Sequence, residues 1–233
     1  MSATRRVGRL LRWTAVGLGL AAFGYAVSVG AAWLRYGHPT PENASDADPL
    51  LDRFMSAYDV AERHHVRVAA PPDRTVAAAG NVDIQQSSVI RGIFKTREFV
   101  LGAHPEAVSR PRGLLAQTKS LGWDVLAEVP GREVVMGAIT QPWRADVVFR
   151  ALPPAEFASF HEPGYVKIVW TLRADPEDGG GSTFRTETRV TTTDATARRK
   201  FRWYWARFSP GIVLIRRVAL GLLKTDAEAP VHP

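Results

Sequence analysis

Cysteine is missing from all 233 residues, which excludes disulfides, cysteine-ligated zinc and thiol nucleophiles and is compatible with a reducing or an oxidising compartment. Acidic residues are missing before Glu42, whereas five of the 30 basic residues (Arg5, Arg6, Arg9, Arg12 and Arg35) lie there. The rest of the chain carries 25 basic against 23 acidic residues, a difference of +2, so most of the formal +7 belongs to the N-terminus. A near-neutral domain does not offer the spread positive surface of a nucleic-acid module, and no nucleic-acid partner is expected. There is no phosphate-binding glycine loop, GxSxG elbow or HExxH pair. Gly179 to Gly181 separates two strand-like runs instead of opening a helix, and reads as a turn. No metal or cofactor set is visible, since His64 and His65, neighbours on a strand, point to opposite faces. Internal repeats are also absent.

Charge is lacking, too, from Trp13 to Leu34 (WTAVGLGLAAFGYAVSVGAAWL), 22 residues that match the length of a helix crossing about 30 Å of hydrocarbon. Trp13 and Trp33 mark its ends, where amphipathic rings favour the headgroup zone. A cleaved signal peptide is the rival reading, but the apolar run is long for one. We therefore expect an uncleaved span over residues 13–34 behind a basic cytoplasmic segment at 1–12. Four arginines before the span, against Arg35 and a following acidic stretch, orient the domain outside the cytoplasm under the positive-inside rule. The localisation expected is a single-pass cell-membrane protein. Residues 35–57, Pro-rich and polar around GHPTPENASDADP, read as a linker.

Beyond it, Tyr58 to Val68 alternates as a strand, with Val60, Glu62, His64, Val66 and Val68 on one face and Asp59, Arg63, His65 and Arg67 on the other. Pro71-Pro72 stops it, and Asp73 is a cap for a helix through Thr75 to Gly80. A second helix is expected near Ser87 to Gly102. Trp123 to Ile139 reads as a hairpin turning at Pro130-Gly131, and Ala145 to Arg150 as a short strand. Val166 to Arg173 and Thr183 to Thr193 form a hairpin joined by the turn formers Asp175 to Gly181. Capped at Thr193 or Asp194, a long final helix follows, with a break expected at Ser209-Pro210-Gly211 because proline removes a backbone donor. Phe201, Trp205, Phe208, Ile212, Ile215, Ala219 and Leu222 recur at helical spacing and give it one apolar face, with Arg198, Arg199, Arg202, Arg216 and Arg217 mostly off it. Such a stripe has to be buried against the sheet.

Few side chains carry candidate chemistry. His64, inward beside Glu62, reads either as one half of an acid/base pair or as a satisfied polar edge of its strand. Glu187, between Arg185 and Arg189 on alternate positions of the last strand, reads either as part of a solvated ion-pair ladder or as an anchor for a ligand headgroup. Trp143, Trp170 and Trp123 are pocket aromatics or plain core.

Three stretches, RHHVRVAAPPDRTVAAAGNVD (Arg63 to Asp83), PGREVVMGAITQPW (Pro130 to Trp143) and TETRVTTTDATARRKFRWYW (Thr186 to Trp205), occur in the order strand, helical connection, antiparallel strands and long C-terminal helix. This order resembles the START-like or SRPBCC superfamily, over residues 58–228 and ahead of a short tail at 229–233. The resemblance implies an α+β helix-grip fold, in which a curved antiparallel sheet packs around the C-terminal helix, here preceded by one transmembrane helix. It further implies an apolar small molecule or lipid held between sheet and helix, with catalysis added in some members only; binding without assured catalysis is the reading taken here, and no cofactor is expected. The ligand-lining residues expected are Trp143, Trp170, Glu187, Arg189, Trp205 and Phe208. Two alternatives stay open: an enzyme of the cyclase, dehydratase or hydrolase type with Glu187 or His64 as acid/base in the same cavity, and an interaction domain whose core is filled.

Overall fold

The computed structural model describes residues 3–40, 43, 46–103 and 111–230, and for 3–11 the backbone alone. The last three residues of the 229–233 tail, the first two of the chain and positions 41, 42, 44 and 45 of the expected linker lie outside the described residues.

A 33-residue helix, α1 (Ala3–Arg35), opens the chain, and its stretch Arg12–Arg35 is long and apolar enough to cross a membrane. After one helical turn, α2 (Pro49–Asp52), come β1 (Val60–Val68), α3 (Pro72–Asn81), a 3-10 turn at Ile84–Gln86 and α4 (Ser88–Leu101). Next are α5 (Leu114–Ser120), β2 (Asp124–Val129), β3 (Glu133–Thr140), β4 (Phe149–Arg150) and α6 (Pro154–Ser159). The hairpin of β5 (Val166–Pro176) and β6 (Ser182–Thr192) leads into α7 (Ala195–Glu228). Every strand pairing is antiparallel, the order is β1-β6-β5-β3-β2, and β4 sits beside β3. This is the α+β helix-grip fold: one antiparallel sheet, a long C-terminal helix across its inner face, and an apolar N-terminal helix.

Local chemistry explains most boundaries. Ser87 caps α4 through a hydrogen bond from the Ile90 amide, and Gly102 ends it with φ 67. Asp194 caps α7, accepting from the amides of Thr196 and Ala197. Asp73, expected as the cap of α3, lies inside its first turn, because Pro71 supplies the extended entry and Pro72 fits the first helical position. The strand expected over Ala145 to Arg150 shrinks to Phe149–Arg150. The break expected in α7 does not occur, and the helix runs through Pro210. Proline removes one hydrogen bond, while Trp205, Ala206 and Ser209 before it and Leu223 after it are held in buried contacts that keep the axis continuous.

Both faces of the sheet are covered. Even-numbered residues of the long strands (Val68, Val134, Met136, Trp170, Leu172, Phe184) face α3 and α7, where they meet Val76, Ala79, Leu223 and Ala227. Odd-numbered Val135, Ile139 and Val169 face the opposite way and pack with Leu51, Phe54, Met55 and Phe157. The second half of the expected linker is thus a strap across the outer face of the sheet, anchored by Leu51, which is fully buried. Polar composition hid this, since its apolar residues are few and none recurs at a regular period.

Candidate functional site between sheet and final helix

Strand alternation puts Glu62 and His64 on the inner face of β1, opposite Thr188 and Thr186 of β6. From α7, Arg216 reaches down to these two threonines, donating to Thr186 Oγ1 at 3.2 Å and to the Thr188 hydroxyl. His64 Nε2 lies 3.8 Å from Glu62 Oε2, beyond hydrogen-bond reach. Among the described residues, two buried side-chain nitrogens here, His64 Nε2 and Arg216 Nε, have no hydrogen-bond partner. The cluster still touches solvent, with 13% of the His64 side chain and 28% of Glu62 exposed.

Its electrostatics follow from this half-buried position. Burial, helped by Arg216, Arg217 and His65, pushes the His64 pKa from 6.5 down to about 4, so the ring is neutral at neutral pH. Burial also raises Glu62, against the opposing pull of Arg216, Arg35 and Arg217. Desolvation brings Arg216 down to about 10, with Glu62 acting the other way, and the guanidinium keeps its charge. The cluster divides the apolar interface in two. On one side lie Val66, Trp170, Phe184 and Leu223; on the other lie Val60, Val190, Phe201, Trp205 and Ile212. A charged group set between two greasy walls, with unfilled hydrogen-bonding capacity, suits the polar head of an amphipathic molecule.

The six ligand-lining residues read from the sequence fall in separate places. Trp170 is on the inner face, edge-on to Trp123 with ring centroids 6.4 Å apart. Trp205 is buried beside Phe201, and Trp143 packs at the rim of the same cluster, 5.8 Å from the Lys200 ammonium. Phe208 stacks on Tyr204 at 4.9 Å and is half-buried. Glu187 and Arg189 point the other way, to the outer face, because they occupy odd positions of β6. There Glu187 accepts from Arg189 at 2.8 Å and meets Arg63 at 2.9 Å. Arg189, fully buried, also donates to Asp52 and to the Met55 carbonyl, and its guanidinium carbon lies 4.8 Å from the Tyr58 ring centre. Glu187 and Arg189 therefore form an ion-pair ladder, but one covered by the strap instead of solvated.

A second charged group sits under the strap. Glu133 Oε1 accepts from Thr171 at 3.2 Å, and Asp48 caps α2 by accepting from the Leu51 amide at 2.8 Å. Burial, with Asp48 adjacent, raises Glu133 to about 7. The cavity near Glu187 and Arg185 is about 20 Å³, room for a single water, while an open groove of about 460 Å³ runs past Leu50, Arg53, Arg132 and Glu133.

Sequence reasoning brought His64 to the inner face and missed Arg216. The signal was present, since 216 lies four residues after Ile212 and eleven after Trp205, on the buried stripe of α7.

No family model matches the chain, and no curated protein matches it. Among solved structures, a hypothetical protein from Helicobacter pylori aligns over 81% of this chain and 98% of its own, with 8% identity and a TM-score of 0.39. A protein from Chromobacterium violaceum aligns over 70% of this chain and 96% of its own, with 14% identity and a TM-score of 0.30. The Zhui aromatase/cyclase from Streptomyces aligns over 72% of this chain and 96% of its own, with 15% identity and a TM-score of 0.26.

Proposed function

We propose that this chain is a membrane-anchored member of the START-like superfamily that sequesters an apolar small molecule or lipid between its sheet and α7, with the ligand's polar head at Glu62, His64 and Arg216. The observation that carries the reading is a pair of buried side-chain nitrogens, His64 Nε2 and Arg216 Nε, with no hydrogen-bond partner among the described residues, between two apolar clusters. Buried polar groups are ordinarily satisfied, so an orphaned pair at this position calls for a ligand oxygen. Burial raises Glu62 in spite of Arg216, Arg35 and Arg217, so a head that pairs directly with the Arg216 guanidinium, such as a carboxylate, is the best match. The apolar body would extend along either wall, toward Trp170 or toward Trp205. In this arrangement α1 crosses the membrane, the N-terminus is cytoplasmic and the domain is outside.

Titration of the purified full-length protein with a fluorescent fatty acid tests the pocket. Arg216→Met is expected to weaken binding by about tenfold or more, since it removes a charge-assisted partner in a water-poor site. Equal affinity of the two proteins would remove the pocket from this interface. A compartment-sensitive reporter fused after Pro233 tests orientation, and signal on the cytoplasmic side alone would reverse it.

One observation favours a second, enzymatic reading. His64 is held neutral beside a carboxyl whose pKa is raised, an arrangement in which the two can exchange a proton with a bound substrate. Under that reading His64→Gln abolishes turnover of the extracted ligand while leaving its binding largely intact. Loss of binding alone would assign His64 to recognition.

A further inference from the structure

Basic residues on α7 divide into two groups that the sequence does not separate. Arg216 is buried against Thr186 and Thr188, Lys224 pairs with Glu228, and Arg198 pairs with Asp59 at 2.8 Å. Of the others near the helix start, Arg199 donates to Thr196 and Lys200 lies over the Trp143 ring, while Arg202 and Arg207 lie where α1 meets α7. Arg202 donates to the Trp33 carbonyl at 2.9 Å, and its guanidinium carbon lies 4.0 Å from the Trp33 ring centre. Trp33 is 4.6 Å from Trp203, and Arg207 lies 5.0 Å from the Trp203 ring centre. Tyr25 closes the group by donating its hydroxyl to the Arg207 carbonyl at 2.8 Å. The result is a collar of alternating indole and guanidinium groups around the point where α1 leaves the domain.

That point coincides with the end of an apolar rod. From Arg12 to Ser28 every residue of α1 is exposed, and burial begins at Val29. Those 17 exposed residues measure about 26 Å at the helical rise, close to one hydrocarbon thickness. Trp203 is 53% exposed in spite of its contact with the tilted Trp33 ring, and no acidic residue occurs in α7 before Asp226. Aromatic rings with arginines between them, next to the end of a span and free of countercharge along the helix, match the chemistry of a headgroup layer.

We infer that this collar rests in the headgroup layer of the bilayer and binds anionic phospholipid, which keeps the start of α7 at the membrane, on the helix that carries Arg216. The inference depends on α1 being a span, and its occupant is the membrane itself. A ligand leaving the bilayer would then reach the pocket without crossing bulk water.

Because the chain has no cysteine, single cysteines can report depth. The full-length protein is placed in nanodiscs of phosphatidylcholine, with or without phosphatidylglycerol, and labelled with a polarity-sensitive fluorophore at Gly19→Cys, Trp203→Cys, Arg207→Cys or Ala155→Cys. Nitroxide lipids then serve as quenchers. Position 19 lies within the span, and position 155 lies on α6, across the sheet from α7. In anionic discs, quenching at 203 and 207 should reach about half that at 19, with little at 155. Phosphatidylcholine alone should lower it about twofold at both collar positions. Arg207→Cys keeps the Trp33–Trp203 stack, so a packing defect in Trp203→Cys does not decide the result. Quenching at 19 with none at 203 or 207 overturns the collar and leaves the span standing. Absence at 19 overturns both together, and equal quenching in the two lipids overturns the anionic assignment.

Discussion

At His64 and Glu133 burial acts on opposite charge types, and stability should follow pH with opposite signs. His64 has its folded pKa depressed to about 4. Its contribution is fully present above the unfolded value of 6.5 and is lost as pH falls through the folded value. His64→Gln should erase that slope, a difference of about 2–3 kcal/mol between pH 7 and pH 4 in urea unfolding. Equal acid sensitivity in the two proteins would contradict the buried, neutral ring. Glu133 is raised to about 7, so its contribution is largest at low pH and declines as pH rises through 7. Glu133→Gln keeps a partner for Thr171 and removes the carboxylate beside Asp48; it should stabilise the protein by about 2 kcal/mol at pH 8 and little at pH 5. At Arg189, the fully buried guanidinium holds Glu187, Asp52 and the Met55 carbonyl. Arg189→Ala leaves Glu187 buried with one cation fewer, a loss of about 3–5 kcal/mol measurable as a lowered Tm. At this scale the sequence was readable where alternation alone decided the answer, as for His64. It was ambiguous for Glu187 and Arg189, because strand period separates two faces without saying which one meets α7.

Among the elements, α7 and the β5–β6 hairpin were the most legible. Their periods are long, and their ends carry turn formers and a capping aspartate. The turns α2, α5 and α6, of four, seven and six residues, were not foreseen, since none completes enough periods to register. Pro210 was misjudged because propensity counts one lost hydrogen bond, whereas the packing of α7 on the sheet is spread over its whole length. Pro210→Ala should therefore raise Tm by restoring that bond, and a value unchanged or lowered would show that the proline ring itself contributes to the packing of α7. Gly137 shows the same tertiary control within a strand. A methyl group there would lie 2.4 Å from Leu126 Cδ1 and 3.2 Å from Phe157 Cε2, the residues that tie β2 and α6 to the outer face. Gly137→Ala should cost about 1–3 kcal/mol through overpacking.

Taken whole, the molecule packs the end of its apolar helix against the domain. Tyr36 is buried with Phe201 and Trp205, Gly37 turns the chain with φ 79, and its amide donates to the Asp59 carbonyl at 2.9 Å. A fragment beginning at Glu42 loses this packing and should melt below one beginning at Gly30. The apolar helix is legible as a charge-free run, and the division between that helix and the domain is not, since Trp33 and Tyr36 serve both. Nor was the strap, whose Leu51, Phe54 and Met55 lie in a polar stretch that composition assigns to a linker. Native mass spectrometry of the full-length protein released gently from detergent, followed by organic extraction, decides whether the interface of sheet and α7 receives an apolar ligand with its head at Arg216. A stoichiometric amphipathic mass is expected on the wild type and is expected to be depleted in Arg216→Met. An unliganded mass for both proteins, with no uptake of added fatty acids, would contradict it and leave the interface as a closed core.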